Sequence, residues 1–218
     1  DLHYPLRRQR QMCIRDRFDA IKKECQNVKE NVGLLDMTAF AKCRISGPGA
    51  KDFLDNLVAN KLPQKNGRVN LCHALNTKGG VHSEFTIAKE SDDSYYLVSA
   101  GAFQRLDHDW ILGWMPKDGS VQFENLTNSK GVLVVSGPKA RELMQRVSND
   151  DFSNENFKWL SAKQVDVGFA PVNAMRVNFV GELGWEIYIP VEDSKKIYEL
   201  IINFEKKFNL VHARASLV

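Results

Sequence analysis

The sequence predicts an α+β protein of two related halves with mostly antiparallel sheets, and three observations carry that reading. First, Ser46-Gly47-Pro48 and Ser136-Gly137-Pro138 each join a β-prone run to a stretch with apolar residues at helical spacing. Aligning the two turns puts Ala50 on Ala140, Phe53 on Leu143, Leu54 on Met144 and Leu57 on Val147. Second, NTKGGVHSEFTI (76–87) slides onto NFVGELGWEIYI (178–189), matching Gly79 with Gly181, Glu84 with Glu186 and Ile87 with Ile189. Each half is therefore read as closing with a hairpin that carries one glutamate. Third, 218 residues at 43% hydrophobic and 26% charged describe a globular chain able to bury a sizeable core.

Residues 1–17, DLHYPLRRQRQMCIRDR, show neither helical nor strand periodicity and are read as an adaptor-derived tail outside the fold. Their five arginines against Asp1 and Asp16 carry the whole net charge of +3. The remaining chain is neutral, so no nucleic-acid surface is indicated. No apolar run resembles a signal peptide or approaches the roughly 18 residues of a membrane span.

The first half is read as 18–116. Phe18, Ile21, Cys25 and Val28 make one face of an amphipathic helix over Phe18–Glu30. Residues 33–36 are read as a turn toward a strand at 42–46, and the first Ser-Gly-Pro turn opens a helix. Pro63 and Asn66-Gly67 mark a loop before strands at Val69–Leu75 and 81–88, joined around Lys78-Gly79-Gly80. Asp92-Asp93 turns the chain into a strand at 95–99. Phe103, Leu106, Trp110 and Trp114 are expected on the buried face of the next helix.

Pro116 to Gly119 mark the boundary, and 117–218 is the second half. Polar residues 148–159 are read as a loop with a short helix, 165–168 and 173–179 as strands. Ile197, Leu200, Ile201 and Phe204 place an amphipathic helix near the end. Within 177–190, VNFVGELGWEIYIP, alternation puts Glu186 on the wet face of the sheet. The alternative is a partly buried acid held for a purpose, and the match to Glu84 favours it.

Most catalytic signatures are missing. Cys13, Cys25, Cys43 and Cys72 lack Cys-x-x-Cys spacing, which argues against a zinc ribbon or redox pair, and no metal is expected. Gly47 to Asp52 fails the phosphate-loop spacing, and no Gly-x-Gly-x-x-Gly follows a strand. Asp107-His108-Asp109 is read as a solvated helix face, because successive helical residues point apart. His73 and His82 flank the Gly79-Gly80 turn and are read as structural or exposed rather than as proton shuttles.

The segments ENVGLLDMTAF, FLDNLVAN, LNTKGGVHSE, GVLVVSGPKAR and GELGWEIYIP, in that order, resemble the folate-binding aminomethyltransferase (glycine cleavage T-protein) family. They look closest to its branch fused to dimethylglycine and sarcosine dehydrogenase flavoproteins. The resemblance implies interleaved α/β units around a central folate pocket, with the family's C-terminal barrel missing. It implies tetrahydrofolate as cofactor, FAD only in a missing N-terminal domain, an N-methylated amine as substrate, and no membrane or nucleic-acid partner. Location would be cytoplasmic, or the mitochondrial matrix in a eukaryote.

By the same resemblance Glu186 grips the pteridine and Glu84 is catalytic, while Phe179, Trp185, Leu71 and Ser83 line the pocket. Ser83 stands where lipoyl-dependent members carry the first of two adjacent acids, and Phe179 and Leu71 replace tyrosines. Arg214 is a weak candidate for the family's later Arg motif. The implied function is one-carbon transfer forming 5,10-methylenetetrahydrofolate. The alternatives are a stand-alone glycine-cleavage aminomethyltransferase and a non-catalytic folate-binding protein of iron–sulfur cluster maturation.

Overall fold

A run such as KGVLVVS, apolar on both faces, must be covered from both sides, and strand Lys130–Ser136 is accordingly buried along six of its seven residues. The computed structural model describes residues 18–179 and 181–213, so the tail 1–17 and Arg214 lie outside the described residues. In order the chain forms α1 (Phe18–Glu30), β1 (Val32–Asp36), β2 (Ala41–Ser46), α2 (Ala50–Leu57), β3 (Val69–Leu75), β4 (Val81–Ser91) and β5 (Ser94–Ser99). There follow α3 (Gln104–Trp114), β6 (Gln122–Asn125), β7 (Lys130–Ser136), α4 (Ala140–Val147), β8 (Ala162–Val167) and β9 (Ala170–Met175). The chain ends with β10 (Gly184–Pro190), α5 (Ser194–Ile202), α6 (Glu205–Phe208) and β11 (Leu210–His212).

Two sheets form, in the orders β3-β4-β5-β2-β6 and β8-β9-β10-β7-β1, with β11 added parallel to β1 and every other pairing antiparallel. The two orders correspond strand for strand, so the duplication is real. Each unit also lends the other its edge: β1 pairs with β7, and β6 pairs with β2 across the boundary drawn at 116. The units are interleaved.

The Ser-Gly-Pro turns are equivalent in geometry as well as in sequence. Gly47 and Gly137 have φ of +112° and +130°, and their amides donate to Asp93 O and Leu183 O. A Cβ on Gly47 would lie 2.5 Å from Ser120 O, and one on Gly137 would press on the backbone oxygens of Asn31 and Val28. The helices that follow bury Ala50, Phe53, Leu54 and Leu57 in one unit and Ala140, Leu143, Met144 and Val147 in the other.

The hairpin half of the sequence match is corrected. Ser94 pairs with Ser46 and Gly184 with Ser136, so β10 corresponds to β5 rather than to β4. Two residues further along, Glu186 therefore corresponds to Tyr96, and Glu84 on β4 has its counterpart on β9. The cause is loop length: only Asp92 and Asp93 join β4 to β5, whereas residues 176–183 join β9 to β10. The longer loop imitates the β3–β4 turn in sequence without occupying its place.

Other boundaries move for physical reasons. Residues 32–36, read in part as a turn, form buried strand β1 because β7 and β11 flank it. Strand β9 ends at Met175, leaving Val177 and Phe179 in the loop. Residues 148–159 form no helix, and Phe152 and Phe157 instead enter the core. Phe103, just before α3, and Leu106 and Trp114 on it are exposed, Trp110 is half-buried, and the buried positions of α3 are Asp107 and Ile111. That helix is rotated from the expected face because two serine hydroxyls capture Asp107.

The two sheets face each other across a layer that includes Val69, Tyr96, Val98, Val132, Met175 and Tyr188. Lys42 is fully buried, its Nζ donating to Thr38 O at 2.8 Å, and burial lowers its pKa to about 8. No helix among the described residues is long and apolar enough to cross a membrane.

Candidate functional site

Strand β4 alternates strictly. Phe85 and Ile87 join Leu54 and Ile111 in the core under the helices, and Ser83 shares their face. Glu84 and Thr86 take the opposite face. A cleft of about 440 Å³ opens where the start of β4, the end of β5, the beginning of α3 and the 176–183 loop meet. Ser83, Glu84, Asp107, Phe40, Phe103 and Phe179 are among its walls.

Asp107 is 2% exposed, and the sequence reading of a solvated face is corrected for this residue. Its Oδ1 accepts from Ser83 Oγ at 2.5 Å and its Oδ2 from Ser99 Oγ at 2.6 Å. A carboxylate thus stands beside Ser83, the position where the family resemblance implied a missing acid. Asp107 was missed because a polar residue was assigned to water by type. Phe103, Asp107, Trp110, Ile111 and Trp114 also fit one helical stripe, and an acid inside such a stripe is the signal that could have found it.

Glu84 is half-exposed at the rim, and its Oε2 lies 2.9 Å from His73 Nε2. A carboxylate only accepts, so Nε2 carries the proton of this bond. The backbone amide of His73 donates to Asn60 Oδ1 at 2.7 Å, which steadies the pair. Phe179 is 53% exposed and leans on Phe40 with ring centroids 5.9 Å apart. The extra loop length of the second unit is what carries it there.

Glu186 lies deeper, between the sheets and outside the cleft lining, at 1% exposure. Its Oε2 accepts from Tyr188 OH at 2.5 Å, and its Oε1 is buried without a hydrogen-bond partner among the described residues. Burial pushes the carboxyl up to about 7, against the opposing pull of the Tyr188 hydrogen bond. Glu186 is buried, so the reading that put it on the wet face of the sheet is corrected.

The structure brings Ser83, Glu84 and Phe179 into one cleft and leaves the other candidates outside it. Leu71, paired with Thr86 on the same sheet face as Glu84, is half-exposed beyond the lining. The assignment of Trp185 to the pocket is corrected. It is fully buried on the opposite face of β10 from Glu186, edge-on to Phe152 at 5.2 Å and Phe157 at 6.0 Å. No group of three or more metal-ligating side chains occurs among the described residues.

The family model for the GCVT N-terminal domain matches residues 3–216. The chain belongs to the GCVT family. Mitochondrial dimethylglycine dehydrogenase of Rattus norvegicus is 36% identical over 187 residues, covering 85% of this chain and 22% of that protein. Human mitochondrial sarcosine dehydrogenase is 29% identical over 211 residues, covering 89% of this chain and 23% of that protein. The chain thus spans about a fifth of the length of the curated relatives it matches.

Among solved structures, glycine cleavage system aminomethyltransferase T from Bartonella henselae gives a TM-score of 0.75 at 19% identity, over 89% of this chain and 51% of that one. A chain of heterotetrameric sarcosine oxidase from Corynebacterium sp. U-96 gives 0.64 at 17% identity, over 81% and 85%. These likenesses show the GCVT-family fold, and the described residues form two interleaved, mostly antiparallel units with no closed barrel among them. This chain is an aminomethyltransferase-type domain related to dimethylglycine and sarcosine dehydrogenases.

Proposed function

We propose that this GCVT-family domain binds tetrahydrofolate and passes a one-carbon unit to it, yielding 5,10-methylenetetrahydrofolate as the folate part of a dehydrogenase of N-methylated glycines. The observation that carries the reading is the cleft itself: Glu84 and the Ser83–Asp107 pair stand on one wall and Phe40 and Phe179 on another. Its 440 Å³ falls within the range of small-molecule sites. Oxidation of the N-methyl group, with its FAD, is assigned to a separate N-terminal domain.

The residues fit the cofactor. Glu186 lies outside the cleft lining, with Oε2 taken by Tyr188 and Oε1 buried without a partner among the described residues, so a ring edge bearing donors would satisfy this carboxylate only by entering between the sheets beyond the cleft. Tetrahydrofolate, when bound, supplies the two nitrogen nucleophiles. Glu84, with Oε2 held by His73, offers Oε1 to take a proton or to face a cationic carbon centre. The exposed ring of Phe179 supplies an apolar wall that excludes water.

The test is the rate of 5,10-methylenetetrahydrofolate formation from tetrahydrofolate and formaldehyde. A rate above that in buffer, lowered by Glu84→Gln at saturating folate, supports the reading. A rate equal to that in buffer contradicts it.

A further inference from the structure

We propose that Lys42 is a positioning residue for the cleft: its buried ammonium latches the segment 37–40, so holding the Phe40 ring in the wall, and the latch opens when the ammonium loses its proton. The latch stands without the one-carbon reading, and its effect on turnover rests on that reading.

Two segments cross between the sheets. Residues 37–40 lead from β1 in one sheet to β2 in the other, and residues 126–129 lead back from β6 to β7. Their hydrogen bonds correspond one to one. Thr38 N donates to Asp36 Oδ1 at 2.9 Å, and Thr127 N donates to Asn125 Oδ1 at 3.0 Å. Met37 N donates to Val132 O, and Leu126 N to Lys42 O. Val132 N donates to Thr38 Oγ1, and Lys42 N to Thr127 Oγ1, each at 3.1 Å. Phe40 N closes on Met37 O as Ser129 N closes on Leu126 O.

Lys42 thereby takes the place that Val132 holds in the other unit, in keeping with Ser46 and Ser136 ending β2 and β7 in equivalent pairings. Val132 shows that an apolar side chain suffices for such a crossing. A fully buried ammonium at the same place is costly, and it needs an acceptor. Its one hydrogen bond among the described residues runs from Nζ to Thr38 O at 2.8 Å. The backbone of Lys42 thus holds one crossing segment, and its side chain holds the other. Thr38 lies two residues before Phe40, whose ring meets Phe179 in the cleft wall.

Burial lowers the lysine from its usual 10.5 to about 8, against the opposing pull of Asp36. The folded chain gives up this proton at lower pH than the unfolded chain does, so this group adds stability as pH rises through about 8. Opening of the latch is therefore separable from unfolding. The other ionisable groups between the sheets leave the window clear. Arg44 is held by Glu90 and Glu124, burial pushes the Tyr96 and Tyr188 phenols upward, and Glu186 titrates lower, near 7.

The test is NMR of the 218-residue chain between about pH 7 and about pH 9.5, without folate. It follows the Ala39 amide, which shares its peptide group with the Thr38 carbonyl, and the contact between the Phe40 and Phe179 rings. The Asn128 amide in the equivalent segment is the internal control. Ala39 should titrate with a midpoint near pH 8 without a matching transition at Asn128. The ring contact should weaken about twofold or more through the same midpoint. Lys42→Met, similar in length but uncharged, should show the weakened contact already at pH ~7 and no transition near pH 8. A ring contact unchanged through the transition, or as strong in Lys42→Met as in the wild type at pH ~7, would overturn the proposal. Should Lys42→Met fail to fold, the wild-type titration decides alone.

Turnover supplies the second readout. The KM for tetrahydrofolate should rise about threefold through the same midpoint with kcat changing less, and Lys42→Met should keep the raised KM throughout. Titration of Glu186 is common to both proteins, so their difference isolates Lys42. A KM that ignores the ring contact would overturn the positioning role. A rate equal to that in buffer rejects the one-carbon reading alone, and the ring contact then decides the latch.

Discussion

The phenolic hydroxyl of Tyr188 donates to Oε2 of Glu186 at 2.5 Å, two residues apart on one face of β10, with both side chains buried between the sheets. The pair faces Tyr96, whose ring meets that of Tyr188 edge-on at 5.4 Å. Since Tyr96 is the counterpart of Glu186 in the first unit, the pseudo-repeat places an acid in one sheet opposite a phenol in the other. The consequences are electrostatic.

Burial raises the folded pKa of Glu186 to about 7, above the 4.5 usual for a glutamate. The folded state therefore keeps a proton that the unfolded chain releases. Its contribution to stability is complete below the unfolded pKa and is lost as pH rises through about 7. The full loss is about 3 kcal/mol. Glu186→Gln should flatten this dependence and leave the protein more stable than wild type at pH ~8, as urea unfolding near pH 5 and pH 8 would show. Equal slopes in the two proteins would contradict the buried, uncompensated carboxyl.

Trp185 and Phe179 were grouped as pocket residues in the sequence reading, and the fold separates them. Trp185→Ala opens a cavity between Phe152 and Phe157 and should cost about 3–5 kcal/mol. Phe179→Ala removes a half-exposed ring and should change stability by about 1 kcal/mol or less. Denaturant titration of both variants is the check, and similar losses would contradict the placement.

Gly47 and Gly137 hold the two equivalent turns at positive φ against backbone oxygens. Alanine at either position should destabilise by about 2 kcal/mol or more, because the backbone strain and the close approach add. Gly79→Ala, with nothing within 4 Å of the added carbon, should lose only the cost of its φ of +79°. Thermal unfolding of the three variants ranks them, and a milder effect at Gly137 than at Gly79 would contradict the shared turn geometry.

Much of the fold was legible because the Ser-Gly-Pro turns and the helices after them are governed by local constraints: a glycine at positive φ and four apolar residues at helical spacing. The strands β1 and β6 were illegible as exchanged edges, since which sheet a short strand joins is decided by distant partners. Glu84 and Phe179 were named from a motif and do meet in the cleft, but the register that paired Glu84 with Glu186 was false. Asp107 could not be placed without knowing that β4 and β5 deliver two hydroxyls to one point.

The most direct test of the account is calorimetric titration of tetrahydrofolate into the wild-type chain, Glu186→Gln and Glu84→Gln. Glu186→Gln keeps the shape but puts an amide donor where the ligand also donates, so binding should weaken by about 30-fold or more, roughly 2 kcal/mol. Glu84→Gln should bind as wild type does, because its role is assigned to proton and charge handling at the rim. Near pH 7 the wild-type titration should also release protons, since donors from the ligand favour the ionised form of Glu186. Undiminished affinity in Glu186→Gln would contradict the anchoring role on which the account rests.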